Sequence, residues 1–142
     1  MRHELNSAYW ALRLGIGLTA FLAGLDKYFH LLADWTTYLN PLALVVIPLA
    51  ADTLMRVVGV VEMAVGLAIL TGYTRLGAYV ASAWLLGIAL NLVTMGRFFD
   101  IAVRDVGLSI AAYTLARLAE VREPATAREG VRATGGAIRT RA

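Results

Sequence analysis

Four long apolar stretches dominate this chain and most constrain its fold. They are Ala8–Phe29, Met55–Gly72, Leu76–Val93 and Ile101–Leu118. A helix needs about 20 mostly apolar residues to cross a bilayer, and each stretch approaches or exceeds that length. Hydrophobic residues make up 59% of the 142 residues and charged residues only 16%, which excludes an ordinary soluble domain. The sequence therefore predicts an all-α integral membrane protein with four spans.

Small residues indicate how the spans pack against one another. They recur four positions apart at Ala20/Gly24, Gly77/Ala81, Ala83/Gly87 and Gly107/Ala111. This spacing lets helix backbones approach closely in lipid. Because the spans use most of the chain, we predict one four-helix transmembrane bundle over residues 1–118. An arginine-rich tail follows at residues 119–142.

Basic residues in the short flanks predict the orientation of the spans. Arg2 precedes the first span, Arg75 lies in the turn between the second and third, and six arginines lie from Arg117 onward. Residues 1–116 carry seven basic and seven acidic side chains, so the tail supplies the whole net charge of +3. Because basic residues favour the cytoplasmic side, both termini should face the cytoplasm. The predicted location is the cytoplasmic membrane, crossed several times.

The longest predicted connection runs from His30 to Thr53 and lies on the extracytoplasmic side. It contains Trp35, Tyr38 and the apolar run Leu42–Leu49, which Pro48 interrupts. About ten apolar residues are too few to span a bilayer. The run is therefore either an interfacial or re-entrant cap, with the two aromatic rings at headgroup level, or an N-terminal extension of the second span.

Polar residues inside the predicted spans are the candidate functional residues. Ionisable groups are costly in hydrocarbon and usually face a bundle interior or a ligand. When each span is centred on the bilayer, six polar residues lie in the outward half of the membrane. They are Asp26, Lys27, Arg56, Asn91, Arg104 and Asp105. Glu62 falls near the middle, and Arg13 lies toward the cytoplasm.

Ordinary intrahelical ion pairs are the alternative explanation for part of this polar layer. Three charged pairs are four residues apart: Asp26/His30, Asp52/Arg56 and Asp100/Arg104. Residues at this spacing are neighbours on a helix. Glu62 and Asp105 fall outside these pairs, so each needs a partner from another helix or must be protonated. For Glu62 we consider two roles: a carboxyl that contacts a ligand or accepts a proton, and an ion pair with Arg13 or Arg104 that locks the bundle.

Several of these segments resemble one family of small membrane proteins. They are Arg13–Leu18, Ala23–Lys27, Gly59–Glu62 with Gly66 and Gly72, Arg75–Ala78, and Asp105–Gly107 in the last span. In order, spacing and polar placement they are similar to the DoxX family of four-helix membrane proteins, over roughly residues 8–118. Arg13, Lys27, Glu62, Arg75 and Asp105 match the family pattern best.

The resemblance implies a membrane subunit of a redox complex, and quinone is the candidate cofactor. A quinone needs an apolar, aromatic-lined crevice with a few hydrogen-bond donors. Arg56, Asn91 and Arg104 could donate, Tyr28 or Trp84 could line the crevice, and Glu62 or Asp105 could relay protons. The chain has no cysteine, and its two histidines, His3 and His30, lie at opposite ends of the first span. We therefore expect no haem, iron–sulfur cluster or metal.

Two other functions stay open. The chain could be a non-catalytic assembly subunit that holds a redox enzyme at the membrane, with the arginine-rich tail as a candidate contact. A small-molecule transporter is less well supported, because the chain has four spans and no clear inverted repeat. Nucleic-acid binding is not expected, because the basic residues that raise the pI lie beside the membrane. The sequence contains no self-contained catalytic apparatus.

Overall fold

A computed structural model describes the backbone of residues 2–139 and the side chains of residues 3–122. Every regular element within this part of the chain is helical. In chain order the helices are α1 (Arg2–Phe29), a 3₁₀ helix (Trp35–Tyr38), α2 (Pro41–Val46), α3 (Ala51–Leu70), α4 (Thr74–Thr94) and α5 (Phe99–Arg139). The prediction of an all-α chain is confirmed.

Three of the described helices are long and apolar enough to cross a membrane: His3–Phe29 of α1, Ala51–Leu70 (α3) and Thr74–Thr94 (α4). Their outer faces stay apolar. On α1, for example, Leu14, Leu18, Leu22 and Leu25 form an exposed stripe at the spacing of one helix face. A large exposed apolar surface of this kind is compatible with contact with lipid.

The fourth predicted span, residues 101–118, lies inside α5 and is not among these three helices. It carries three charged residues, Arg104, Asp105 and Arg117, within 18 positions, and these lower its mean hydropathy. The helix also continues past the predicted end of the span to Arg139. The tail's side chains beyond residue 122 lie outside the described part of the chain, so the predicted contact between the tail and a partner stays a prediction.

The long helices pack in two main pairs, α1 against α3 and α4 against α5, and α3 joins the pairs by packing on α4. The centre between them contains Ile69, Ala78, Ala112 and Leu115, all fully buried. Small residues allow the closest approaches. A Cβ on Gly24 would lie 2.5 Å from the Gly59 carbonyl oxygen, so the backbones of α1 and α3 touch at this point.

The predicted small-residue contacts are confirmed only in part. Gly24 and Gly77 lie at helix contacts, where an added Cβ would meet Gly59 and Ile69. Gly87 and Gly107 have no atom within 4 Å of an added Cβ, so the prediction that they line close helix contacts is wrong. Spacing alone does not tell which face of an apolar helix meets a neighbour.

The connection between α1 and α3 folds into two short helical pieces. Asp34 accepts hydrogen bonds from the Thr36 N–H and hydroxyl at the start of the 3₁₀ helix, and these bonds lower the pKa of Asp34. Asn40 caps α2 by accepting from the Leu42 N–H at 3.0 Å, and Pro41 occupies the first turn, where its missing N–H has no cost.

The apolar run forms its own helix and does not extend α3. Residues 47–50 separate α2 from α3, so the alternative of an N-terminal extension is wrong. Leu42, Val45 and Val46 project outward and are largely exposed. Such a short helix with an uncovered apolar face is consistent with a cap at the membrane surface.

Candidate functional site

Two buried charges in the described part of the chain form an ion pair between α1 and α3. The Lys27 Nζ lies 2.5 Å from the Glu62 Oε2, and the two side chains are only 4% and 10% exposed. The prediction that Glu62 takes a partner from another helix is confirmed. The predicted partners, Arg13 and Arg104, are wrong.

Glycine packing explains why these two residues meet. Gly24 and Gly59 lie three residues before Lys27 and Glu62, and they are the point where the two backbones touch. Side chains on a helix lean toward its N-terminus, and Lys27 Nζ lies 3.5 Å from the Ala23 carbonyl. The ammonium group therefore reaches back along α1 to the level of Glu62.

Two tryptophans complete the surroundings of the pair. The Trp84 Nε1 on α4 donates to Glu62 Oε1 at 3.3 Å, so both carboxylate oxygens have a partner. The Lys27 Nζ lies 3.9 Å from the centre of the Trp35 ring, a favourable position for a cation over an aromatic face. The pair is thus satisfied from α1, α3, α4 and the 3₁₀ helix, and we call these four side chains the Lys27–Glu62 cluster.

Asp26 anchors the connection that follows α1. It accepts hydrogen bonds from the N–H groups of Leu31 and Leu32 and from Trp35 Nε1, at 2.8–2.9 Å. The predicted Asp26/His30 pair is wrong. His30 has a positive φ of 54°, which turns the chain away from the helix axis, and its ring lies 3.8 Å from Asp52.

Arg104 and Asp105 form a second polar group, on α5, in which Asp105 is buried and Arg104 is exposed. Arg104 Nε and Nη2 donate to Asp105 Oδ1 at 3.1 and 3.0 Å. The Asp105 side chain is 4% exposed and that of Arg104 is 62% exposed. The predicted Asp100/Arg104 pair is wrong, and so is the expectation that Asp105 needs a partner from another helix. Adjacent residues point about 100° apart around a helix, but the arginine side chain is long enough to bend back to the carboxylate of Asp105.

The buried face that carries Asp105 continues along α5 as a polar contact with α4. Ser109 lies one turn further on and donates to the Ser82 carbonyl at 2.8 Å, and the two hydroxyl oxygens are 3.1 Å apart. Both hydrogen bonds from Arg104 end on Oδ1 of Asp105. Among the described residues, no hydrogen bond reaches Oδ2, so Asp105 keeps capacity to accept one more donor.

Arg56 and Asn91 lie apart from the Lys27–Glu62 cluster. Arg56 pairs with Asp52 at 3.0 Å, one turn earlier on α3, with both side chains about half exposed. This predicted intrahelical pair is confirmed. Asn91 on α4 donates to the Tyr38 carbonyl at 3.0 Å, so it holds the connection against α4. Both residues therefore have a structural contact that accounts for their position.

Arg13 lies at the other end of the molecule and caps α3. Its guanidinium group donates to the carbonyls of Ile69 and Leu70 at 2.9 Å and also to that of Thr71. The last carbonyls of a helix lack intrahelical partners and carry partial negative charge. Arg13 satisfies them from a different helix, which explains an arginine inside the first apolar stretch.

The sequence predicts Trp35 at headgroup level and Trp84 in the lining of a crevice. Their roles beside the ion pair have no sequence signal that we can identify. The Lys27–Glu62 contact had one: Gly24 and Lys27 have the same spacing as Gly59 and Glu62. Centring each predicted span on the bilayer places Lys27 in the outward half and Glu62 near the middle, so the contact is missed. The centring of the first span is inaccurate because α1 begins at Arg2, before the predicted span.

The geometry defines a class of protein: an all-helical chain with three helices able to cross a membrane and a charged cluster buried between them. Within the described residues, no three histidine, aspartate or glutamate side chains are grouped closely enough to hold a metal ion. Comparisons of the chain with protein-family models, curated proteins and solved structures found no match. The resemblance to the DoxX family therefore stays a prediction from the sequence.

Proposed function

We propose that this chain is a DoxX-like, four-span subunit of a quinone-linked redox complex in the cytoplasmic membrane, with both termini in the cytoplasm. In this proposal it contributes to quinone interaction or attaches the catalytic partner to the membrane, while the chemistry belongs largely to the partner. The Arg104–Asp105 pair carries the quinone part of the proposal.

The polar residues of α5 are compatible with a fourth crossing. Asp105 and Ser109 are buried, so neither carboxylate nor hydroxyl faces lipid. Arg104 is exposed, but its long side chain can extend to the headgroup region while its stem stays in the apolar layer. α5 also packs along α4, which is long and apolar enough to cross a membrane.

The Arg104–Asp105 pair has the groups that a quinone carbonyl needs. Arg104 presents an exposed guanidinium with N–H donors in a planar fork. Asp105 is a buried carboxylate whose Oδ2 accepts no hydrogen bond from the described residues. A ligand carbonyl could accept from Arg104 while Asp105 takes part in proton exchange. The Lys27–Glu62 cluster is less suited to this role, because its carboxylate oxygens are already paired.

A non-catalytic assembly subunit is the second candidate, and the same cluster favours it. Glu62, the acid nearest the middle of the predicted spans, is held by Lys27 and Trp84 within the chain, which is what a helix lock requires. A transporter is the least supported function, because this closed contact occupies the position where an intramembrane acid would otherwise face a substrate path.

Isolation from native membranes tests the proposal. The full chain, purified in mild detergent at native expression, should carry a redox enzyme and extractable quinone. Arg104→Ala should lower the quinone retained per chain about tenfold, because a hydrogen bond from a charged donor is lost. Arg97→Ala is the matched control, since Arg97 lies near the same end and contacts Phe98, and it should retain quinone.

Two results would decide against quinone interaction: equal retention by Arg104→Ala and the unmodified chain, or no quinone in either. A co-purifying enzyme without quinone would favour the assembly subunit. Absence of both an enzyme and quinone would contradict the proposed redox role altogether.

A further inference from the structure

A polar pocket of about 190 Å³ lies at the end of the molecule opposite to the Lys27–Glu62 cluster. It forms where α1 and α5 meet the turn between α3 and α4. Its described lining includes Tyr9, Arg13, Thr71, Thr74 and Arg122. Two of these described lining residues are arginines, whose guanidinium groups are common partners of anions.

The two guanidinium groups share one aromatic platform. The Cζ of Arg13 lies 4.8 Å from the Trp10 ring centre and 5.9 Å from that of Tyr9. The Cζ of Arg122 lies 4.6 Å from the Tyr9 ring centre and 5.8 Å from that of Trp10. Two cations are therefore held beside the same pair of rings, where their mutual repulsion is reduced if an anion lies between them.

The candidate donors to a ligand are the two arginine guanidinium groups. The Thr71 and Thr74 hydroxyls donate to the carbonyls of Leu67 and Ile69 at 2.8 Å, so their hydrogens are already used. Arg13 uses Nε and Nη2 on the end of α3. Its Nη1 makes no hydrogen bond to any described residue, and Arg122 adds a second guanidinium that also donates to Asn6.

The pocket's position matches a phosphate-rich layer. It lies where α3 ends and α4 begins. Both helices are long and apolar enough to cross a membrane, so the pocket falls where phospholipid headgroups begin. Its volume equals about six water molecules, which is room for a phosphate group with some of its hydration. Guanidinium groups bind phosphate oxygens through paired, charge-assisted hydrogen bonds.

We propose that this pocket binds a phosphate group, through Arg122 and the Nη1 of Arg13. The proposal does not depend on the redox role or on a quinone. The phosphate can come from the headgroup of a phospholipid in the surrounding leaflet or from a free phosphate ion, and both sources use the same contacts.

Calorimetric titration of the full chain in a neutral detergent tests the proposal, with dioctanoyl phosphatidylglycerol and inorganic phosphate as separate probes. Arg122→Gln should weaken binding about tenfold, because charge-assisted hydrogen bonds are lost. Arg117→Gln is the matched control. It removes the same charge from the same helix, but Arg117 pairs with Glu120 at 2.5 Å, so binding should stay within about twofold of the unmodified chain.

Binding of the phospholipid alone would identify the membrane as the source, and binding of both probes would show that the phosphate group is sufficient. Equal weakening by Arg117→Gln and Arg122→Gln would show general charge attraction and overturn the proposal, as would no binding of either probe. If Arg122→Gln does not fold, Arg122→Lys keeps the charge without the planar fork. It should weaken binding about threefold, and unchanged binding would overturn the proposal.

Discussion

The ion pair of Lys27 and Glu62 is buried between helices, so its desolvation must be offset by its contacts. Removing two charges from water is expensive, and their attraction repays this only with good geometry and further hydrogen bonds. Here Trp84 donates to Glu62, and the Trp35 ring lies against Lys27. The pair is therefore fully satisfied, and its main effect is to penalise any arrangement of α1 and α3 that separates the two charges.

A double-mutant cycle tests this lock. Lys27→Met or Glu62→Met alone should reduce the free energy of unfolding by about 3–5 kcal/mol, because each leaves one unpaired buried charge. The double variant should recover most of that loss, since two apolar side chains can pack together. Unfolding in mixed micelles measures the effect, with Asp52→Ala as a control that should cost below about 1 kcal/mol, because the Asp52–Arg56 pair is half exposed.

Near-unchanged stability in either single variant would show that the pair contributes little to holding the fold. A double variant no more stable than the single ones would show that the charges have a partner or role beyond each other. In that case Glu62 would return as a candidate ligand or proton site.

At the scale of helices, the α1–α3 contact rests on four glycines. Gly17 and Gly24 on α1 meet Gly66 and Gly59 on α3, and a Cβ on Gly66 would lie 2.6 Å from the Phe21 nitrogen and 2.7 Å from the Gly17 oxygen. In lipid, close backbone packing replaces the hydrophobic driving force between helices. The glycines and the ion pair therefore act on the same interface.

Gly24→Ala should weaken this interface. The new methyl group would meet the Gly59 oxygen and the Met63 nitrogen, which are backbone atoms that cannot rotate away, so the helices must separate. We expect a loss of about 1–3 kcal/mol in the same unfolding assay. Gly15→Ala is the control on the same helix: it has no atom within 4 Å of its Cβ and should be neutral or slightly stabilising. Equal effects would contradict the proposed contact.

The helices follow from sequence more directly than their partners do. Long apolar runs located α1, α3 and α4, because length and hydrophobicity are local properties. The separation of α2 from α3 was not resolved, since Pro48 interrupts an apolar run that is compatible with either interpretation. Contact faces were also difficult, because lipid-facing and buried residues are equally apolar.

The burial of four charged residues follows from the sequence, but their pairings do not. Asp26, Lys27, Glu62 and Asp105 are all buried, as expected for polar groups in an apolar setting. Only Asp52/Arg56 paired as spacing predicted. Asp26 bonds to the following backbone because His30 adopts a positive φ, and Lys27 reaches Glu62 along its own helix. These outcomes depend on loop conformation and side-chain direction, which spacing does not encode.

For the whole molecule, the decisive question is whether α5 crosses the bilayer with α1, α3 and α4. Four crossings would place the Arg104–Asp105 pair inside the membrane and both termini on one side. They would also place the phosphate pocket, which α1 and α5 share, at the cytoplasmic surface. Three crossings would put α5 outside the lipid and remove the basis for a quinone contact at Arg104.

The most direct test is labelling of single cysteines in intact cells with a membrane-impermeant maleimide, because the chain has no cysteine of its own. We predict that Thr37→Cys, in the exposed connection after α1, is labelled. Ser7→Cys and Thr126→Cys should react only after the membrane is permeabilised. Labelling of Thr126→Cys from outside while Ser7→Cys stays protected would show an odd number of crossings and contradict the four-span account.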